Sequence, residues 1–257
     1  MGSALNHPMR TAIITGGSRG IGLAIARELA EAGKHVVLIA RDEEKLKQEV
    51  FNLKQSGKQA SYIAVDFLDS NYLTYINNYL VANNLHPTIL VHGLGGGFGS
   101  QNFDSIEKYQ EIMHLNFFVA ANLTKYLSEF AFSASFGRFL FLGTLAINQK
   151  SASAPYVAAK SALISYMKII AKSFAEINEN VLAAAISPGA INVAGKHLNK
   201  LLLSDKEGLD AFLKLNRVSA GRLGSPEEVA KVATFLCGEE NNYLHGCNIE
   251  IDGGASN

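Results

Sequence analysis

The chain has 257 residues, 48% of them hydrophobic, with 23 basic residues set against 23 acidic ones. A formal net charge of zero gives no global field to draw in nucleic acid or an anionic membrane surface, so any anion binding has to be local. The length suits one large α/β domain over residues 1–257, and the two cysteines, Cys237 and Cys247, stand at no metal-ligand spacing and read as packing residues in a reducing compartment.

The opening "MGSALNHPMR" lacks the apolar core of a signal peptide, and no apolar run is long enough to span a bilayer, which predicts a soluble, cytoplasmic protein. Seven short apolar runs follow: "TAIIT" (11–15), "HVVLIA" (35–40), "ASYIAV" (60–65), "TILVH" (88–92), "RFLFLG" (138–143), "VLAAAIS" (181–187) and "CNIEI" (247–251). Between them lie helix-like stretches such as 21–32, 43–55, 105–131, 155–177 and 226–237. Continuous apolar strands separated by helices are the sequence form of a parallel sheet covered on both faces. The expected fold is a doubly wound, Rossmann-like α/β sheet in a single domain.

The first run leads directly into "TGGSRGIG" (15–22), where Gly16, Gly20 and Gly22 follow a G-x-x-x-G-x-G spacing before a helix. Missing side chains let backbone approach a pyrophosphate, and the helix start offers N–H groups and partial positive charge; a plain strand-to-helix turn is the competing reading. The second run ends at Ala40 and Arg41, and the glycine loop carries Arg19. Two guanidiniums and no carboxylate at the strand tip favour a 2′-phosphate, hence NADP(H) over NAD(H). Asp42 keeps the ribose hydroxyl of NAD open if the strand runs a residue or two further.

Two segments break the strand–helix rhythm. "GLGGGFGSQNF" (93–103) is too rich in glycine for a helix, and 190–221 is a long, partly helical insertion. Loops at the carboxyl ends of such strands line the ligand crevice, so both are candidates for substrate contact. The insertion reads either as a substrate lid or as an oligomer contact. Between these segments, "GTLAINQKSASAPYVAAK" (143–160) ends in Tyr156 and Lys160, four residues apart on one helix face; taken alone, such a pair is an ordinary neighbour contact.

Taken together, "TGGSRGIG", "VDFLD" (65–69), Asn116 in "HLNFF", "PYVAAK" (155–160), "SPGAI" (187–191) and the ending "GRLGSPEEVAKVATFL…GCNIEIDGG" resemble the short-chain dehydrogenase/reductase family over essentially the whole chain. The general likeness is to bacterial ketoacyl reductases of fatty-acid synthesis and to the sugar and polyol dehydrogenases built like them. The resemblance implies that Tyr156 is the general acid/base, that Lys160 supports it and holds the nicotinamide ribose, and that Asn116 completes a water-linked proton path. A phenol of pKa about 10 is a poor base at neutral pH, and an ammonium one turn away favours its phenolate. The resemblance also implies cofactor contacts from Gly16, Ser18, Arg19, Gly20, Ile21 and Gly22 in the glycine loop. Further contacts are implied from Arg41, Asp66, Phe67 and Gly93, from Tyr156 and Lys160, and from Pro188, Gly189 and Ile191.

The sequence departs from the family pattern at several places. Where the family has a serine at the end of the fifth strand, the strand alignment puts Thr144, and strict spacing puts Gly143. Thr keeps the hydroxyl donor but adds a methyl that restricts its rotamers; Ser151 and Ser153 carry hydroxyls but lie close to the Tyr156 helix. "HGLG" (92–95) replaces two amides, and the His92 ring N–H would steady the strand tips. Val193, with Asn192 beside it, stands where relatives carry Thr, leaving the backbone of 188–191 to hold the nicotinamide. Asp66 matches a position that meets adenine, with a helix N-cap as the other reading.

The expected activity is NADPH-dependent interconversion of a ketone and a secondary alcohol on a small-molecule substrate, with no metal. One alternative is an NAD(P)-dependent dehydrogenase of sugars or other polar metabolites, with Asn102, Lys150, Lys196 and His197 as recognition groups. From another class, the chain reads as a catalytically silent nucleotide-binding relative. The resemblance further implies a homotetramer, for which "SALISYMKIIAKSF" (161–174), apolar around much of its circumference, is the one sequence hint.

Overall fold

The computed structural model describes residues 9–148 and 152–256. Seven strands, β1 Thr11–Thr15, β2 His35–Ala40, β3 Ala60–Ala64, β4 Pro87–His92, β5 Gly137–Leu142, β6 Val181–Pro188 and β7 Asn248–Ile251, form one sheet in the order β3-β2-β1-β4-β5-β6-β7. Every pairing is parallel. The chain winds outward from β1 toward β3, then returns to place β4 on the other side of β1. That reversal leaves a crevice beyond the carboxyl ends of β1 and β4, the place where ligands settle in open α/β sheets.

Because strand side chains alternate between faces, Ile14, Leu38 and Val91 pack into one buried cluster while Ile13, Val37 and Leu90 pack into the other. Helices α1 (Gly20–Glu31), α2 (Glu43–Gln55) and α9 (Pro226–Cys237) cover the first face, and α3 (Tyr72–Ala82), α5 (Val119–Ser133) and α6 (Ala154–Ile177) cover the second, with α4 (Ile106–Met113) packed against α6. No described helix is long and apolar enough to cross a membrane.

Helix α3 was not singled out by its sequence, yet Tyr72, Ile76 and Leu80 recur every four residues and are buried. The stretch expected as one helix over 105–131 is two, α4 and α5, joined by a π-helical turn at His114–Phe118. Asn116 sits in that turn, and its Nδ2 donates to the Ile112 carbonyl at 3.0 Å, an acceptor that a regular α-turn would give to the Asn116 backbone N–H. The insertion 190–221 contains α7 (His197–Ser204) and α8 (Lys206–Leu215), which close over a small core of their own made by Ala190, Leu209, Leu213, Val218 and Leu223.

Candidate active site

Beyond the carboxyl ends of β1 and β4 lies a cleft of about 770 Å³. One end is made by the turn between β1 and α1. Gly16 there has φ +69°, and a side chain on it would come within 2.8 Å of the Gly93 carbonyl, so the loops after β1 and β4 touch backbone to backbone. Thr15 locks the same junction: its hydroxyl donates to the Val91 carbonyl at 3.4 Å and accepts from the Leu94 N–H at 3.1 Å. Arg19 is the N-cap residue of α1 in extended conformation, and its side chain makes no capping bond. The first-turn N–H groups of α1 therefore face the cleft with no acceptor from the N-cap side chain, a donor set that matches a phosphate.

Strand β2 ends at Ala40, which places Arg41 on the cleft wall and makes Asp42 the N-cap of α2. The Asp42 carboxylate accepts from the Lys45 backbone N–H at 3.2 Å and pairs with Lys45 Nζ at 2.8 Å. Those Lys45 bonds, with a weaker contribution from the Arg19 charge, hold its pKa below the ordinary carboxylate value. Arg41 Nη1 lies 3.9 Å from Asp66 Oδ2, and Asp66 Oδ1 accepts from the Leu68 N–H at 3.0 Å. Asp66 is thus a turn residue on the cleft wall and caps no helix, since α3 begins only at Tyr72. Phe67 also lines the cleft, its ring packed edge-on against Tyr72 at 5.3 Å between centroids.

At the other end stand Tyr156 and Lys160 on α6. Burial pushes the Tyr156 phenol above its ordinary pKa, and the nearby Thr144 hydroxyl acts against that rise. Thr144 follows the end of β5 by two residues, and its hydroxyl also accepts the Ala146 N–H at 3.1 Å. Lys160 is 3% exposed; its Nζ donates to the Leu142 carbonyl at 2.7 Å, and burial lowers its pKa to about 8. Asn116 Oδ1 accepts the Gly96 N–H at 3.0 Å and its Nδ2 returns a bond to the Gly96 carbonyl at 3.1 Å. Gly95 fits between these groups: a side chain there would meet both Asn116 Oδ1 and Lys160 Nζ at 2.7 Å.

Of the residues singled out from sequence, Gly16, Ser18, Arg19, Gly20, Ile21, Gly22, Arg41, Asp66, Phe67, Gly93, Tyr156, Lys160 and Pro188 line this cleft. Gly189 instead packs against Asp252, where a side chain would come within 2.8 Å of its Cα, and Ile191 is buried in the core beside Gly224. Ser153 spends its hydroxyl on Ser100 at 2.6 Å, and Ser151 lies outside the described residues. Gly143 is buried, with no room for a side chain beside Ser187 Oγ.

His92 points away from the strand tips. Its Nε2 bonds Thr124 on α5 at 3.1 Å, its ring stacks on Phe141, and burial together with the Lys160 charge lowers its pKa to about 3. Thr15, which the sequence did not single out, makes the tip contact expected of His92. Lys45, Phe98, Val193 and Lys196 also line the cleft. Lys45 comes from a segment that carries no local motif, whereas Phe98, Val193 and Lys196 belong to the two loop segments expected to line the crevice.

A family model described as enoyl-(acyl carrier protein) reductase matches residues 16–256. The chain belongs to the short-chain dehydrogenase/reductase family. It is therefore an oxidoreductase of that family. A tropinone reductase homolog of Arabidopsis thaliana is 29% identical over 95% of this chain and 91% of its own. Among solved structures, a 3-oxoacyl (acyl-carrier-protein) reductase of Agrobacterium tumefaciens with NADP bound superimposes with a TM-score of 0.86 at 27% identity, covering 95% of this chain and 93% of its own. L-Sorbose reductase of Gluconobacter frateurii, complexed with NADPH and L-sorbose, does so at 0.85 and 28% identity, covering 96% of each chain.

Proposed function

We propose that this short-chain dehydrogenase/reductase interconverts a ketone and a secondary alcohol, with NADPH favoured over NADH and Tyr156 as general acid/base. The observation that supports it most is the cleft itself, lined at one end by the glycine loop and at the other by Tyr156 and buried Lys160, with the Thr144 hydroxyl near enough to Tyr156 to act on its pKa. A dinucleotide fits these residues: glycine backbone and open α1 N–H groups for the pyrophosphate, Arg19 and Arg41 for a 2′-phosphate, Asp66 for the adenine, and Lys160 for the nicotinamide ribose. With Asp42 committed to Lys45, the strand tip offers guanidiniums rather than a free carboxylate.

A reduced nicotinamide, held along this cleft by the glycine loop and Lys160, would supply the hydride that the carbonyl carbon takes up. At the carbonyl oxygen the chain's own residues act. Tyr156, a phenol whose pKa burial raises further, gives its proton to that oxygen, and Thr144 donates a hydrogen bond to it as negative charge develops. The resulting phenolate stands one turn of α6 from the buried Lys160 ammonium, an arrangement that favours it. Asn116 has both amide N–H groups committed to backbone carbonyls, so it joins a water-linked proton path through an Oδ1 lone pair.

The test is paired titration with NADPH and NADH, followed by a panel of ketones, acyl thioesters and sugars. Wild-type protein binds NADPH at least about ten-fold more tightly, and Arg41→Ala narrows that preference by roughly ten-fold, the worth of one charge-assisted hydrogen bond. Equal binding of both nucleotides contradicts the cofactor preference. Lys196 on the cleft wall favours a second reading, a dehydrogenase of sugars or other polar metabolites; turnover of sugars with none of ketones or thioesters would select it. Of the other recognition groups, Asn102 has its Oδ1 engaged by the Ala154 N–H, and Lys150 lies outside the described residues.

A further inference from the structure

The helix that carries Tyr156 is not capped by its own N-cap residue. Ser153 precedes α6 with extended backbone and makes no capping bond, and Pro155 in the first turn has no N–H to satisfy. The acceptor comes from a segment 52 residues earlier: Asn102 Oδ1 takes the Ala154 N–H at 2.9 Å. The Ser153 hydroxyl is turned to the Ser100 hydroxyl at 2.6 Å, so two side-chain bonds join the glycine-rich segment 93–103 to the first turn of α6. Asn102 is held in turn from α4, whose Tyr109 hydroxyl donates to the Asn102 carbonyl at 2.9 Å. At its other end the segment is clamped by the reciprocal bonds between Gly96 and Asn116. Between the two anchors lies Phe98, on the cleft wall with φ +46°, a left-handed conformation that an L side chain adopts only when its surroundings impose it.

We propose that Asn102 is a positioning residue for Tyr156: by capping α6 from the glycine-rich segment, it fixes the first turn of the helix, and with it the phenol, relative to Asn116 and the cleft wall. The role rests on the assignment of Tyr156 as the general acid/base. The bond is local to the turn, two residues from the phenol, and engages none of the glycine-loop residues that would hold the nucleotide phosphates. Losing it therefore acts on the chemical step and leaves nucleotide affinity alone.

The experiment compares wild type, Asn102→Ala and Asn102→Asp, the last keeping an oxygen acceptor suited to a helix N-terminus. Two quantities are read: amide exchange of a peptide spanning 152–158, with peptides from β4 and β5 as folding controls, and kcat alongside the NADPH dissociation constant. Asn102→Ala is expected to speed exchange in 152–158 alone, to lower kcat roughly ten-fold and to leave NADPH affinity within about two-fold, because misplacing a catalytic group weakens turnover rather than binding. Asn102→Asp is expected to restore both protection and most of kcat. Unchanged exchange overturns the capping role, and faster exchange with unchanged kcat overturns the positioning role. If Tyr156→Phe retains full turnover, the assignment of Tyr156 has failed instead; exchange in 152–158, which needs no turnover, still judges the cap.

Discussion

Lys160 is held as a charge inside the protein, and its effect on stability is large enough to measure. Its Nζ donates to the Leu142 carbonyl, and burial brings its pKa from 10.5 to about 8. At about 1.4 kcal/mol for each tenfold change in proton affinity, burying the ammonium destabilises the fold by about 3 kcal/mol. Between the two pKa values the unfolded chain holds a proton that the folded chain has released, so stability rises with pH. The destabilisation is full below about pH 8 and gone above about pH 10.5. From about pH 7 to pH 10 the folded state recovers about 2.5 kcal/mol through this one group.

Urea unfolding of wild type and Lys160→Met across that range isolates the effect, because other titrating groups cancel in the difference. Met fills similar space without charge; the unpaired Leu142 carbonyl it leaves behind subtracts equally at every pH. The stability of the variant relative to wild type should fall by about 2.5 kcal/mol between about pH 7 and pH 10, while the variant loses turnover throughout. Parallel stability curves would refute the burial of a charged Lys160, and with it the electrostatic support for a Tyr156 phenolate.

Two further outcomes follow from the same geometry. Thr144→Val keeps the side-chain shape but removes the donor, and should lower kcat by about a hundred-fold without altering nucleotide affinity, while Thr144→Ser stays within a few-fold of wild type; steady-state kinetics with titration of NADPH checks both. His92, neutral with a pKa lowered to about 3 by burial and by Lys160, stays unprotonated in the fold while the unfolded chain takes a proton below about pH 6.5. Wild type should therefore lose about 2 kcal/mol between about pH 7 and pH 5 that His92→Gln does not lose, as read from urea midpoints at the two pH values.

The parts that were legible in the sequence are those governed by local pattern. "TAIIT" and "HVVLIA" are β1 and β2 to the residue, because a strand covered on both faces is apolar through its centre, and the first stops at the glycine turn after Thr15 and the second at Arg41. The Tyr156–Lys160 spacing needs only one helix to put both side chains on one face. Helix α3 was harder, since its apolar residues are interleaved with Asn, Thr and Tyr and its buried stripe of Tyr72, Ile76 and Leu80 is one residue wide. The π-helical turn at Asn116 results from a side chain competing for a backbone carbonyl, which no periodicity announces. The commitment of Asp42 depends on where β2 ends, and the direction of His92 depends on which face of β4 it takes. Lys45 reaches the cleft through the topology alone.

The central claim concerns one proton at one oxygen, and Tyr156→Phe tests it most directly. The variant removes the hydroxyl and keeps the ring, so packing and the nucleotide-binding end are untouched. NADPH oxidation with the best carbonyl of the panel should fall by at least about a thousand-fold while NADPH binds as tightly as to wild type, the pattern of a group that acts only in the chemical step. Retention of turnover within about ten-fold of wild type, at unchanged nucleotide affinity, would contradict the account and assign the proton to another group.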